Sequence, residues 1–144
     1  IVADHLSFPN GSVITPDGGT LVVAETFAGC LTAFDIVAQG ELENRRLWAK
    51  LPDGTAPDGI CLDAEGAIWV ASPPTNECLR LAEGGEILER VQVDQGAYAC
   101  MIGGVDAPVL FILTSPSSSP QECRTLRGAR AETIPVSATG AGYP

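Results

Sequence analysis

Basic residues and histidine are scarce in this chain of 144 residues. Lys and Arg number 8 against 18 Asp and Glu, which gives a formal net charge of -10 at pH 7, and the tightest basic pair is Arg45-Arg46. Proteins that bind nucleic acid or an anionic membrane meet phosphates with clustered Lys and Arg, so we expect neither partner. His5 is the only histidine. A histidine-rich metal site within this chain is therefore excluded, and the H-E-x-x-H motif is absent.

Several other signals are missing. No G-x-S-x-G motif supplies the nucleophile elbow of a serine hydrolase, so hydrolysis by an activated serine is not expected. The longest apolar runs, 97–102 and 109–113, are far too short to span a bilayer. The chain does not begin with Met, and its first residues show no basic stretch followed by an apolar one. We therefore expect a processed, trimmed or truncated chain without a signal peptide.

Cysteine usage indicates a reducing compartment. The count is odd and no C-x-x-C pair occurs, so neither a disulfide framework nor a zinc knuckle is indicated. Small buried thiols are the simplest interpretation, and they predict a cytoplasmic protein. The five cysteines are Cys30, Cys61, Cys78, Cys100 and Cys123.

Short strands are the dominant local pattern. The 16 Gly and 11 Pro are spread along the chain and divide it into runs rich in aliphatic and β-branched residues. Such runs between Gly, Pro and Asp turns predict an all-β protein. The predicted strands cover residues 12–15, 20–24, 31–36, 60–62, 67–71, 78–81, 87–93 and 109–114.

An internal repeat organises these strands. Pro9-Asn10-Gly11 recurs as Pro57-Asp58-Gly59, a shift of 48 residues, and a fainter third copy runs from Gly103 to Ile112. Four short strands in ~40–50 residues are typical of one β-propeller blade. The sequence therefore predicts three four-stranded antiparallel blades, at approximately residues 9–56, 57–98 and 99–144.

Three blades do not close a ring. Closed propellers use ~4–8 blades, and an open stack leaves sheet faces and strand edges uncovered. We therefore expect further material: an N-terminal half that is absent here, a second chain or a symmetric partner. A single β-sandwich of this length is the alternative fold.

The repeat singles out Asn10 and Asp58 for chemistry. Each follows a Pro that fixes the backbone and precedes a Gly that lets the chain pass close to a neighbour. Equivalent residues on neighbouring blades converge on the central channel. An amide oxygen and a carboxylate meeting there suit one divalent ion, such as Ca²⁺, Zn²⁺, Mn²⁺ or Mg²⁺, together with a further ligand and waters. The alternative is that both are ordinary turn residues.

Several motifs, in order along the chain, resemble the SMP-30/gluconolactonase/regucalcin-like (LRE) family. Those motifs are FPNG at 8–11, SVITPDGGTLVVAE at 12–25, LTAFD at 31–35, NRRLW at 44–48, PDGICLDAEGAIWVA at 57–71, Gly103-Gly104 followed by VLFILTS, and GAGYP at 140–144, which is similar to the end of some bacterial members. The resemblance covers nearly the whole chain.

The resemblance implies the C-terminal half of a six-bladed propeller of metal-dependent lactonases and related hydrolases. In that family a Glu, an Asn and an Asp hold one divalent metal in the channel. The Asn motif matches Asn10 and the Asp motif matches Asp58. The Glu, together with an Arg and an Asn that contact the substrate, belongs to the half without a counterpart here.

The predicted function is hydrolysis of a sugar lactone or similar cyclic ester, with Asp58 as metal ligand and catalytic base and Asn10 as neutral ligand. A bound divalent ion polarises an ester carbonyl and activates water. Glu25 and Tyr98 are weaker candidates for substrate contact, on their similarity to family positions. Two alternatives stay open: a non-catalytic propeller that binds Ca²⁺ or a metabolite, and a β-rich module that recruits a partner through its open blade edges.

Overall fold

The computed structural model describes residues 1–142, which form three antiparallel sheets. The first sheet contains β1 (Pro9–Ile14), β2 (Thr20–Glu25), β3 (Cys30–Ile36) and β4 (Leu42–Lys50); the second contains β5 (Ile60–Leu62), β6 (Ile68–Ser72), β7 (Glu77–Leu81) and β8 (Ile87–Gln92); the third contains β9 (Gly96–Gly103), β10 (Val109–Ser115) and β11 (Arg130–Pro135). Sequential strands are neighbours in every sheet. The all-β prediction is confirmed. The last two residues of the 140–144 motif lie outside the described residues.

Two short helical segments interrupt the strands of residues 1–142. A 3-10 turn spans Ala38–Gly40, and helix α1 spans Pro120–Leu126. Nowhere in residues 1–142 is a helix long and apolar enough to cross a membrane.

The turns follow from local chemistry. Between β1 and β2, the Asp17 carboxylate accepts hydrogen bonds from Thr15 Oγ1 at 2.6 Å and Gly19 N at 3.0 Å. Gly18 takes a φ of 72°, a left-handed conformation that costs glycine little. These interactions reverse the chain where the sequence predicts a turn.

The apolar core lies between the sheets. Val22, Leu31 and Trp48 of the first sheet pack against Ile68 and Leu79 of the second. A second cluster joins the second and third sheets and includes Trp69, Cys78, Leu110 and Ile112. The middle sheet is therefore covered on both faces, which explains why every residue of β6 and β7 is buried. Among the described residues all five cysteines are free, and only Cys123 is exposed; the cytoplasmic location stays a prediction.

The first strands of the three sheets lie side by side. β1 contacts β5, and β5 contacts β9. Gly11 N donates to Asp58 O at 3.0 Å, and Gly59 N donates to Tyr98 O at 2.9 Å. At the inner strands, a backbone hydrogen bond thus joins each pair of neighbouring sheets at the same relative position.

The third sheet differs from the expected blade. Within the described residues it has three strands, and residues 96–98, which the repeat assigned to the second unit, begin β9. The connection from β10 to β11 covers residues 116–129 and contains α1. Pro116 and Pro120 lack the N–H that a ladder needs, so this segment leaves the sheet.

The segment 139–141 returns to the middle sheet. Asp63 forms an antiparallel bridge with Gly140, Ala64 N donates to Thr139 O at 2.8 Å, and Ala141 N donates to Leu62 O at 3.1 Å. The segment therefore extends the edge of β5 that faces away from β6.

Candidate functional site

Asn10 and Asp58 lie where two neighbouring inner strands begin. Asn10 is in β1, Asp58 is two residues before β5, and the hydrogen bond from Gly11 N to Asp58 O joins the two segments. A Cβ on Gly11 would lie 2.5 Å from Asp58 O, and a Cβ on Gly59 would lie 2.8 Å from the Cα of Ala99. The glycines of the repeat are therefore required for close approach of one sheet to the next.

The two side chains also meet. Burial raises the pKa of the Asp58 carboxyl above its ordinary value, and a hydrogen bond from the Asn10 side chain offsets part of that rise. Asp58 is half-buried, whereas Asn10 is exposed. The pair thus combines a desolvated carboxyl with an amide that solvent reaches.

A third side chain, which the sequence analysis missed, connects this pair. Thr26 Oγ1 donates to Pro57 O at 2.7 Å and accepts a hydrogen bond from Asn10 Nδ2 at 3.3 Å. Thr26 directly follows Glu25 at the end of β2. The sequence signal that could have indicated Thr26 was its position one residue beyond β2, the strand that pairs with β1.

The structure places Glu25 in a separate polar cluster. Its side chain is buried and accepts hydrogen bonds from Ser7 N at 2.6 Å, Thr32 Oγ1 at 2.6 Å and Arg45 Nη2 at 3.1 Å. Burial by itself would raise the pKa of Glu25, but these hydrogen bonds and the positive charge of Arg45 outweigh it and lower the pKa. Arg45 also donates to the carbonyls of Asp4 and His5. This cluster attaches the N-terminal segment to the first sheet.

Tyr98 continues the series of inner-strand contacts. Its carbonyl accepts from Gly59 N, as that of Asp58 accepts from Gly11 N. Its side chain is half-buried. Tyr98 therefore holds, on the third sheet, the place that Asp58 holds on the second.

In each sheet, the connection between the second and third strands lies at the same end as Asn10 and Asp58, because sequential strands are antiparallel. In the first two sheets they are residues 26–29 and 73–76, whereas in the third sheet the connection is residues 116–129. This long connection is anchored by Gln95, whose Nε2 donates to Gly128 O at 3.1 Å.

Asn10 and Asp58 provide two oxygen ligands of the kind that hard divalent ions prefer. In residues 1–142, no group of three or more His, Cys, Asp or Glu side chains is arranged to hold a metal ion. The pair therefore fits part of a metal site, and further protein ligands or waters are needed to complete it.

A family comparison matches most of the chain. The profile of the SMP-30/gluconolactonase/LRE-like region matches residues 1–116. The chain belongs to this family. Regucalcin from Gallus gallus is 30% identical over 124 residues, which cover 83% of this chain and 41% of that protein. A 6-deoxy-6-sulfogluconolactonase from Pseudomonas putida is 25% identical over 126 residues, covering 85% of this chain and 43% of that protein. The chain thus spans less than half the length of these relatives.

Solved structures agree with this family. A gluconolactonase from Xanthomonas campestris is 34% identical, with a TM-score of 0.67, over 80% of this chain and 37% of that one. A calcium-binding protein, regucalcin, from Agrobacterium tumefaciens is 21% identical, with a TM-score of 0.76, over 96% of this chain and 49% of that one. The latter likeness bears on the fold alone. The predicted family and the β-propeller fold are confirmed.

Proposed function

We propose that this chain forms part of a propeller that hydrolyses a sugar lactone or similar cyclic ester, with one divalent ion held by Asn10 and Asp58. The observation that carries the proposal is that the segments bearing these two residues adjoin at neighbouring inner strands, where Gly11 N donates to Asp58 O at 3.0 Å. The relative from Xanthomonas campestris, described as a gluconolactonase at 34% identity, supports the reaction class.

The proposal includes a completing partner for the ring. Ile14 and Leu47 are exposed on the face of the first sheet that turns away from the second sheet. Phe111 and Leu113 are exposed on the face of the third sheet that turns away from the second sheet. Apolar side chains at both ends of the stack suit further blades. An N-terminal half of the same chain or a second chain would supply them, with the remaining metal and substrate contacts.

In the proposed reaction Asp58 accepts a proton from the attacking water, whose oxygen bonds to the lactone carbonyl carbon. The ring C–O bond then breaks, and the ring oxygen takes that proton from Asp58 to give the hydroxy acid. Asn10 has no titratable proton and therefore serves as a neutral oxygen ligand. When bound, the ion supplies Lewis-acid polarisation of the carbonyl and lowers the pKa of water.

The test is proton release from a panel of sugar lactones by the full natural chain that contains this segment. Chelator should abolish turnover, and Mn²⁺, Ca²⁺, Zn²⁺ or Mg²⁺ should restore it. Pro52-Asp53-Gly54 offers a matched control, because it repeats the tripeptide around Asp58 at an exposed turn. Asp53→Asn should keep turnover that Asp58→Asn loses. A folded chain without turnover in any metal would refute the lactonase proposal.

A second candidate is a propeller that binds Ca²⁺ without catalysis. It is favoured by the donor atoms at the junction of the inner strands, because the Asn10 amide oxygen and the Asp58 carboxylate are ligands that Ca²⁺ takes in proteins. The same assay separates the two candidates. Calcium binding that depends on Asp58, with no proton release from any lactone, would support the second candidate.

A further inference from the structure

The hydroxyl of Thr26 links the two halves of the candidate metal site. Thr26 belongs to the connection that follows β2, in the same sheet as Asn10, while Pro57 immediately precedes Asp58 beside the second sheet. The hydroxyl donates to Pro57 O at 2.7 Å and accepts from Asn10 Nδ2 at 3.3 Å. One small side chain therefore contacts both segments that carry the site.

The direction of these hydrogen bonds determines how the Asn10 amide is turned. A threonine hydroxyl has one proton to donate, and Thr26 gives that proton to Pro57 O. It can then only accept from Asn10, so the NH₂ group, and not the carbonyl oxygen, must face Thr26. The same NH₂ group also donates to the Asp58 carboxyl, so Oδ1 is the atom that these contacts leave free for a cation.

A second threonine shows that this arrangement is not a general consequence of the fold. Thr55, like Thr26, is half-buried and donates to a proline carbonyl, Pro52 O, at 2.6 Å. Among the described residues its hydroxyl has no hydrogen bond with Asn10 or Asp58. Thr55 therefore serves as a control with the same chemistry at a different place.

We propose that Thr26 is a positioning residue that presents Asn10 Oδ1 and the Asp58 segment to one divalent cation. The inference rests on the proposed function in so far as Asn10 and Asp58 hold that cation. Residues that orient metal ligands typically change metal affinity ~10–100-fold when they are removed. Because Thr26 contacts a single ligand side chain, we expect an effect near the lower limit of that range.

The experiment measures Mn²⁺ affinity by titration calorimetry in the full natural chain and in its Thr26→Val, Thr26→Ser and Thr55→Val variants. Thr26→Val keeps the shape and removes the hydroxyl, and should weaken Mn²⁺ binding about 10-fold. Thr26→Ser restores the hydroxyl and should bind as the unchanged chain does, as should Thr55→Val. In the metal-free protein, the side-chain amide signal of Asn10 in a ¹H–¹⁵N spectrum should shift in Thr26→Val and not in Thr55→Val.

The outcomes separate this inference from the proposed function. Unchanged affinity in Thr26→Val would overturn the positioning role, as would Thr26→Ser binding as weakly as Thr26→Val. Lactone turnover is measured in parallel. If affinity depends on the hydroxyl while no lactone is hydrolysed, the positioning role stands and the lactonase proposal fails.

Discussion

Replacement of Gly11 by Ala should disturb both the stability of the fold and the candidate site. The added Cβ would lie 2.5 Å from Asp58 O and 2.7 Å from the backbone nitrogen of Ile60. Both atoms belong to backbone, so no side-chain rotation relieves the overlap. The first and second sheets must therefore separate at this point, which carries Asn10 away from Asp58.

The size of the effect follows from the contacts that are lost. A broken hydrogen bond costs about 1 kcal/mol, and an extra methyl in a packed position costs about 1–3 kcal/mol. The reduced freedom of the unfolded chain returns about 0.4–1 kcal/mol. We expect the free energy of unfolding to fall by roughly 1–3.5 kcal/mol, which lowers Tm by about 2–14 °C in a domain of about 150–250 residues. Mn²⁺ affinity should fall as well, because the two ligands move apart.

Urea unfolding and Mn²⁺ titration of the full natural chain test this expectation. Gly140→Ala is the control, because its Cβ would meet Ile102 at an ordinary 3.4 Å. The reasoning is refuted if Gly11→Ala unfolds at the same urea concentration as Gly140→Ala and binds Mn²⁺ equally well.

Three further predictions concern charged side chains. Asp58→Asn should lower the kcat for a lactone by about 100-fold or more, which is the usual contribution of a general base. Steady-state proton release measures this, and an unchanged kcat would refute the assignment of Asp58 as the base. Arg80 is 7% exposed and donates to the buried Asp63 at 2.7 Å, so Arg80→Met should lower the free energy of unfolding by about 3–5 kcal/mol. Arg46→Met removes an exposed ion pair and should cost far less. Equal urea midpoints for the two variants would contradict this prediction. The pKa of Glu25 is lowered in the folded state, so its contribution to stability is complete above the unfolded value of about 4.3 and is lost as pH falls through the lower folded value. As pH is lowered through this range, the urea midpoint of Glu25→Gln should therefore fall less steeply than that of the unchanged chain. Parallel pH profiles for the two proteins would argue against the lowered pKa of Glu25.

The inner-strand geometry was predictable from sequence because backbone constraints mark it. The Pro-x-Gly pattern around Asn10 and Asp58 requires a chain that passes close to a neighbour, and the structure shows that neighbour as the next inner strand. The tripeptide alone is not decisive, since Asp53 has the same flanking residues. Gly54 has a φ of 86° and opens into a turn, whereas Gly59 leads directly into Ile60 and a buried strand.

The contribution of Thr26 could not be predicted in the same way. Its partners are 16 and 31 residues away in the chain, and their proximity depends on how two sheets stack. The connection 116–129 was equally hidden, because its Ser and Pro residues indicate a loop without indicating its anchor on Gln95. Local patterns determine strands and turns, while contacts between sheets depend on the assembled stack.

The bonds between β5 and the segment 139–141 impose an order on biosynthesis. β5 has three residues, and one of its edges receives partners only when Thr139, Gly140 and Ala141 have left the ribosome. Until then the strand that follows Asp58 lacks those bonds and frays more readily. A nascent chain that stops short of Thr139 therefore leaves this edge of β5 without its partners.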